Sequence, residues 1–272
     1  MTAAMPTLHI DGIALWAPSL PGWDVARAAL RGAAGTTAAA LPRPAPALLA
    51  PNERRRAPDT VLLALEVASA AVAASGHDAH DLASVFMSAH GDLPITDALC
   101  RTLAQDPLLL SPTRFHHSVH NAASGYWAIA SGSRAASTAL SAQAAHGFGA
   151  ALLEAASLCM ADARPVLLVA CDTQACGALA SVNRSRGLLA LALVLSPWQG
   201  PASRWALDWA LQPGAARLPA LRSAAALALA DNASAAGLPL FEALAGDEPA
   251  RLALPAGDAL ALQIALNPLP PP

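Results

Sequence analysis

The sequence predicts an α/β domain with a largely parallel sheet. Short apolar runs of strand length recur along the chain, at Ser84–Ala89, Pro165–Cys171 and Gly187–Leu195. Alanine-rich stretches with helical spacing accompany them, chiefly Ala57–Ser75 and Gln143–Met160. Strands that alternate with helices are typical of a sheet whose parallel strands are joined by helical crossovers.

The first part of the chain predicts one strand and two helices. Leu8–Leu15 alternates apolar and polar residues and predicts the first strand, and Asp24–Arg31 predicts a short helix. The prolines at 42, 44, 46 and 51 remove backbone donors and predict a loop over Ala33–Pro51. The helix predicted over Ala57–Ser75 carries an apolar stripe and ends before Gly76.

The middle of the chain contains the pattern most useful for function. A helix is predicted over Ile95–Ala104, and Ser111–Ser118 is expected to be irregular. Val119–Ser131 has helical spacing and small residues that allow close packing. Ser137–Ala142 predicts a weak strand, directly before the long helix Gln143–Met160.

The pattern weakens after Gly200. We expect a strand over Arg204–Leu211, a helix over Leu218–Ala230 and a closing strand over Asp258–Leu266, with a frayed tail from Pro268. Neither a repeat nor a clear linker interrupts the sequence, so one domain is expected over residues 1–272.

Composition excludes several classes of function. Hydrophobic residues make up 55% of the chain, charged residues only 13%, and the net charge is −3, so no basic field is present to attract nucleic acid. All 16 cationic residues are arginine, which excludes lysine Schiff-base chemistry and a Walker-type phosphate lysine. The low charge suggests that a partner covers part of the surface.

No targeting, membrane or metal pattern is found. Met1–Trp16 lacks the pattern of a signal peptide, and the longest apolar run is about half the length that a membrane helix needs, so we expect a cytoplasmic protein without a membrane span. The cysteines fit small buried residues better than disulfides or metal ligands: Cys100, Cys159, Cys171 and Cys176. No cofactor or metal is expected.

The segment from Ser111 to Phe148, SPTRFHHSVHNAASGYWAIASGSRAASTALSAQAAHGF, resembles the N-terminal half of β-ketoacyl-acyl-carrier-protein synthases. The matching features are Ser111-Pro112, Asn121 with Gly125 and Ile129, Gly132, strand Ser137–Ala142 and helix Gln143–Met160. The likeness covers roughly Leu8–Ser196. It implies a thiolase-like fold with helices on both faces of the sheet, a family core over 1–198 and a reduced C-terminal half over 199–272.

Two departures from the family pattern bear on catalysis. Gln143 stands at, or one residue from, the position of the nucleophilic cysteine, and no cysteine occurs between Cys100 and Cys159. An amide cannot form an acyl thioester. The family's two catalytic histidines come from the C-terminal half, whereas the last histidine here is His146. The resemblance is therefore to the chain-length factors, non-condensing partners of ketosynthases, and implies no catalytic residue.

The resemblance also implies a partner and a set of contact residues. Chain-length factors pair with a cysteine-containing ketosynthase through the strand that matches Ser137–Ala142, and meet the acyl carrier protein indirectly. The form of the motif is most similar to short ketosynthase-like proteins of aryl-polyene pathways, in which the subunit would bound the partner's acyl tunnel. The pocket and interface candidates are Leu99, Leu103, His120, Asn121, Trp127, Ala139, Gln143 and Phe148.

Other interpretations remain open at this stage. One is a malonyl-carrier decarboxylase or acyl-transfer enzyme that uses Gln143 and nearby histidines, and another is a homodimeric acyl-binding module. Weaker ones are a metal site, a hydrolase triad, and a carrier-docking face at Glu53–Arg56. The metal site would use His90, His116, His117 and His120, and the triad Ser118, His120 and either Asp92 or Asp172.

Overall fold

The computed structural model describes residues 5–32 and 43–270. The strands are β1 (Thr7–Ala17), β2 (Leu20–Pro21), β3 (Ala83–Met87), β4 (Ser137–Leu140), β5 (Val166–Asp172), β6 (Leu189–Ser196), β7 (Trp205–Pro213), β8 (Ala250–Gly257) and β9 (Leu260–Pro268). The helices are α1 (Trp23–Leu30), α2 (Pro51–Arg56), α3 (Asp59–Ser75), α4 (Leu93–Gln105), α5 (Pro112–Ser118), α6 (Ala122–Ser131), α7 (Ala144–Ala161), α8 (Ala224–Leu227) and α9 (Leu238–Ala245). Three 3-10 turns cover Pro107–Leu109, Ala178–Ser181 and Ala233–Gly237.

The strands form one mixed sheet in the order β4-β3-β5-β6-β1-β7-β9-β8, and β2 pairs with β1. The α/β class is confirmed, but parallel pairing is confined to β4, β3 and β5. From β5 to β8 every neighbouring pair is antiparallel. A parallel pair needs a crossover of about a dozen residues or more, whereas only Asp258 and Ala259 join β8 to β9.

Helices cover both faces of the sheet, and alternate strand residues enter two separate cores. On β5, Val166 and Leu168 face α7, which supplies Leu152 and Phe148 to the same core. Leu167 lies on the opposite face, in the core that α3 and α6 form. This alternation follows from the period of two along a strand. It fixes α7 on one face and α3 with α6 on the other.

The C-terminal hairpin packs closely against α7. A Cβ at Gly149 would lie 2.2 Å from the carbonyl oxygen of Pro255, so only glycine allows β8 to approach the helix this closely. His146, one turn earlier on α7, also lies near the hairpin turn at Asp258, at 3.8 Å. The strands after Gly200 therefore extend the sheet, and β8 packs against α7.

Most predicted elements are confirmed within a few residues, but three expectations are wrong or incomplete. Ser111–Ser118 is not irregular: the Ser111 hydroxyl accepts the Arg114 N–H at 3.3 Å and begins α5. The helix expected over Leu218–Ala230 is reduced to α8. Neither α9 nor β8 was predicted. Of the predicted loop Ala33–Pro51, residues 33–42 lie outside the described residues.

Candidate functional site

The carboxyl ends of β3, β4 and β5 meet at one edge of the sheet, because these strands run parallel. The chain leaves β4 there and enters α7 at Gln143. The Gln143 carbonyl accepts hydrogen bonds from the His146 and Gly147 N–H groups, each at 2.8 Å. Its side chain makes no capping hydrogen bond and is exposed. The amide of Gln143 therefore lies on the surface at the start of the helix.

Two side chains hold the loop after β3 beside this helix start. The hydroxyl of Ser141 donates to the carbonyl of Ala89 at 3.2 Å, and Nε2 of His120 lies 2.9 Å from the carbonyl of Ser88. These contacts join the loop after β4 and the region before α6 to the end of β3. They place His120 and Gln143 at the same sheet edge.

Asp172, the last residue of β5, links the segments that meet at this edge through buried hydrogen bonds. Its carboxylate accepts hydrogen bonds from the hydroxyls of Ser88 at 2.8 Å and Ser234 at 2.7 Å, and from the N–H of Ala89 at 3.0 Å. Burial raises the pKa of Asp172 above its ordinary value, and the hydrogen bonds oppose that shift. The buried carboxylate joins β3, β5 and the 3-10 turn Ala233–Gly237, and so has a structural role here.

The eight candidate residues separate into a surface group and a buried group. Exposed or partly exposed are Leu103, His120, Asn121, Ala139 and Gln143. Buried are Leu99, Trp127 and Phe148. Trp127 belongs to the core under α3 and Phe148 to the core under α7, so neither side chain lies at the surface.

The outer edge of β4 is open within the described part of the chain. The carbonyls of Ala136 and Leu140 accept hydrogen bonds from the β3 amides of Ser84 at 3.0 Å and Ser88 at 3.2 Å. Because backbone groups alternate in direction along a strand, the N–H and C=O of Ala139 point away from β3. They are available to another strand.

The two edge strands of the sheet, β4 and β8, differ in how well they are protected against pairing with another chain. The edge strand β8 contains Arg251 and Pro255 and an irregular register between Pro255 and Gly257, which are devices that discourage further pairing. The sequence of β4, Ser-Thr-Ala-Leu, contains no charge and no proline. Of the two edges, β4 is therefore the one suited to pairing with another chain.

Exposed apolar side chains are frequent between Leu103 and Ile129. We call the following six the apolar shelf: Leu103, Leu108, Leu109, Phe115, Val119 and Ile129. They come from α4, the turn Pro107–Leu109, α5, the residue directly after α5, and α6. Of these six, only Leu103 was among the predicted pocket and interface residues. The run of three leucines before Ser111-Pro112 was the available signal, but an apolar run alone does not separate surface from core.

No described thiol lies at the start of α7. Burial raises the pKa of Cys159 to about 12, and it also raises the pKa of Cys171. The pKa of Cys176, in the loop after β5, is likewise raised, first by burial and then by Asp97. Cys100 is exposed on α4. A reactive thiolate requires a lowered pKa, which burial does not supply.

The triad and metal hypotheses do not fit the geometry. No hydrogen bond joins Ser118, His120 and either acid: the Ser118 hydroxyl donates to the Phe115 carbonyl at 2.8 Å, and Nε2 of His120 lies 2.9 Å from the Ser88 carbonyl. Asp92 accepts from the Thr60 hydroxyl at 2.9 Å, and Asp172 accepts from the hydroxyls of Ser88 and Ser234. His117 instead lies 2.9 Å from the Tyr126 hydroxyl. Among residues 5–32 and 43–270, no cluster of three metal-ligating side chains is found. None of the helices in those ranges is long and apolar enough to cross a bilayer.

Fold and site define an α/β domain in which a short loop joins the edge strand β4 to the long helix α7, with Gln143 directly before the helix. The model of the β-ketoacyl synthase N-terminal domain matches residues 28–254. The chain belongs to this family. No curated protein sequence matches it.

Three solved structures show similar folds. A chain of the ketosynthase ApeO in complex with its chain length factor ApeC, from Xenorhabdus doucetiae, is 23% identical with a TM-score of 0.70, covering 96% of this chain and 99% of that one. A chain of the ishigamide ketosynthase/chain length factor is 16% identical with a TM-score of 0.68, covering 97% and 100%.

The third is a chain of AntDE:AntF, a type II polyketide synthase acyl-carrier protein in complex with its ketosynthase bound to the hexaketide. It is 10% identical with a TM-score of 0.74, covering 97% of this chain and 100% of that one. At these identities the likenesses establish the fold, which is thiolase-like.

Proposed function

We propose that the protein is a non-catalytic, chain-length-factor-like subunit that pairs with a cysteine-containing ketosynthase. The observation that carries the proposal is Gln143, an exposed amide that by resemblance stands at, or one residue from, the position of the thiol in an active family member. No histidine follows His146, so the pair of bases that the family takes from its C-terminal half has no counterpart in the sequence.

The open edge of β4 supports pairing with another chain. A partner strand that bonds to the outward N–H and C=O of Ala139 would make one sheet continuous across both subunits. The helix α6, which carries Ile129 of the apolar shelf, contacts β4, so that part of the shelf would be covered in the same contact. Exposed apolar patches of this kind mark protein interfaces. The acyl carrier protein would then contact this subunit only indirectly, through the complex.

The finer assignment is to the aryl-polyene type, in which the subunit bounds the partner's acyl tunnel. It is supported by the SPTRF…SVHN motif and by the full-length fold match to a chain of the ApeO–ApeC complex. The three structural relatives reported above are covered over 99–100% of their chains, so the likeness extends to overall size.

Reconstitution tests this function. The candidate ketosynthase, this protein and an equimolar mixture would each be incubated with an acyl starter and malonyl-loaded carrier protein. We expect a 1:1 complex in the mixture and chain extension that requires the ketosynthase cysteine. Unchanged products without this protein, or no complex at micromolar concentration, would contradict the proposal.

The same assays separate the other candidates. Release of carbon dioxide from malonyl-carrier by the isolated protein would identify a decarboxylase. A stable homodimer that binds an acyl group and does not bind the ketosynthase would identify an acyl-binding module.

A further inference from the structure

A cavity lies at the end of the sheet opposite to Gln143. Strand β1 runs in the same direction as β5, because both are antiparallel to β6, and Ile10 of β1 aligns through Leu195 with Val166 at the start of β5. The cavity beside Ile10 is therefore near the amino ends of the parallel strands, whereas Gln143 follows their carboxyl ends. Its volume is about 340 Å³, which suits a small molecule.

Much of the wall of this cavity is apolar. Ile10, Trp205 and Leu244 contribute to it and are almost completely buried. Trp23 also lines it and packs edge-on against Phe241, with the ring centroids 5.8 Å apart. Two indole rings and aliphatic side chains form a surface that favours an apolar ligand body, because contact with it removes that body from water.

The two carboxylates that line the cavity already have partners. Oδ1 of Asp11 accepts a hydrogen bond from the Ser203 hydroxyl at 2.6 Å, and Oδ2 lies 2.8 Å from Nε2 of His77. Each oxygen of Asp247 accepts from a different arginine, at 2.8 and 2.6 Å. Neither carboxylate therefore offers an unpaired oxygen to a cationic ligand.

Arg204 supplies the remaining hydrogen-bond donors of the lining. Its Nη1 group donates to the carbonyls of Pro201 at 3.1 Å and Ser203 at 3.5 Å. Within residues 5–32 and 43–270, its Nε and Nη2 groups have no hydrogen-bond partner, and no carboxylate pairs with it. The guanidinium edge formed by Nε and Nη2 matches the two oxygens of a carboxylate. The lining therefore favours an anionic ligand.

We propose that this cavity binds a small monocarboxylic acid with an apolar body. The carboxylate pairs with Arg204, and the body packs against Trp23 and Trp205. One available guanidinium suits a monoanion, since the other arginine of the lining, Arg27, is paired with Asp247. Binding at this end of the sheet requires no ketosynthase.

Calorimetric titration of the full chain tests the site. The probes are octanoate, octylamine and octanol, which share a chain length and differ in the polar group. We expect saturable 1:1 binding of octanoate, with a Kd at least about tenfold lower than for either other probe, because only the carboxylate forms a charge-assisted pair with the guanidinium.

Three variants locate the binding. Arg204→Gln should raise the Kd for octanoate about tenfold or more. Arg134→Gln is the matched control and should leave the Kd unchanged, because this exposed arginine precedes β4, and three strands lie between β4 and β1. Ala202→Trp fills the cavity from a half-buried loop position and should abolish binding. Thermal unfolding first shows that each variant folds.

Several results would overturn the site. Equal affinity for octanoate and octylamine, or an unchanged Kd in Arg204→Gln, would show that the carboxylate does not pair with Arg204. Octanoate binding that survives Ala202→Trp would place the ligand elsewhere, and no saturable binding by the wild-type chain would refute the cavity as a binding site. Pairing with the ketosynthase is measured separately by the reconstitution, so it stands or fails independently of these results.

Discussion

The hydroxyl of Ser234 donates a 2.7 Å hydrogen bond to the carboxylate of Asp172, which joins the end of β5 to the C-terminal segment. The amide of Asn232 adds a second link, donating to the Asp172 carbonyl at 3.2 Å. The sheet edge that holds Gln143 is thus stabilised by residues from both β5 and the chain after Gly200.

The buried carboxylate predicts a specific pH dependence. Because burial raises the pKa of Asp172, the folded state binds its proton more tightly than the unfolded chain. Its contribution to the free energy of unfolding is therefore complete below the unfolded pKa of about 4 and is lost as the pH rises toward the folded pKa. We expect Asp172→Asn to lose more stability relative to wild type near about pH 4 than near about pH 7.5.

Urea unfolding at both pH values checks this. Asp231→Asn is the matched control, because Asp231 is exposed and pairs only loosely with Arg186, at 3.5 Å. A difference between wild type and Asp172→Asn that stays constant, or that grows with pH, would contradict the prediction.

The sequence predicted elements whose signals are local. The end of α3 is an example: Gly76 adopts φ +72°, the left-handed conformation that glycine permits. The start of α5 was also readable, since Ser111 caps the helix and Pro112 occupies its first turn, and expecting an irregular segment there overlooked this signal.

Other features depend on contacts distant in sequence. The carboxylate of Glu242 accepts the Arg222 and Ser223 N–H groups at 3.1 and 2.7 Å, which makes α8 begin there and replaces the longer helix that the alanine-rich pattern predicted. The same limit applies to the candidate site. Spacing identified Gln143 and β4, but it could not show that Leu99 is buried while Leu108 is exposed.

The open edge of β4 gives a backbone prediction. Ala139→Pro removes an outward N–H without removing a bond to β3, so we expect it to abolish the ketosynthase complex. Ala139→Val keeps the N–H and the strand preference and should bind normally. Analytical ultracentrifugation of co-expressed pairs measures both. The wild-type interface should exceed about 2,000 Å² in total, as obligate interfaces do. Binding by the proline variant would exclude β4 as the junction.

Restoring the thiol should not restore activity. Gln143→Cys places a cysteine at the start of α7, but the sequence still provides no histidine after His146 to decarboxylate the malonyl group. Catalytic residues that act as a unit fail together, so one regained member contributes little. We expect no chain extension by the isolated variant in a malonyl-carrier assay. An extended product from that variant, confirmed by mass spectrometry, would refute the assignment as non-catalytic.

The last prediction concerns product length and the two leucines that α4 presents four residues apart. Leu99 is 8% exposed and Leu103 is 51% exposed, so the structure separates residues that the sequence treated as equivalent. Leu99→Ala should lower the free energy of unfolding by about 2–5 kcal/mol, because it leaves a cavity. Leu103→Ala should leave folding and assembly intact.

If Leu103 bounds the partner's tunnel, an acyl chain longer by one extension would overpack the tunnel against this side chain, at a cost of about 1–3 kcal/mol. Truncation to Ala removes that cost, which is enough to shift product ratios about tenfold. We therefore expect longer products from the reconstituted complex with Leu103→Ala. Leu227→Ala, at an exposed leucine on α8, is the control and should give the wild-type distribution. Chromatography of the released products measures the effect. Normal assembly with an unchanged distribution would show that Leu103 is not the gate, and failed assembly would show that it is instead a contact needed for the dimer.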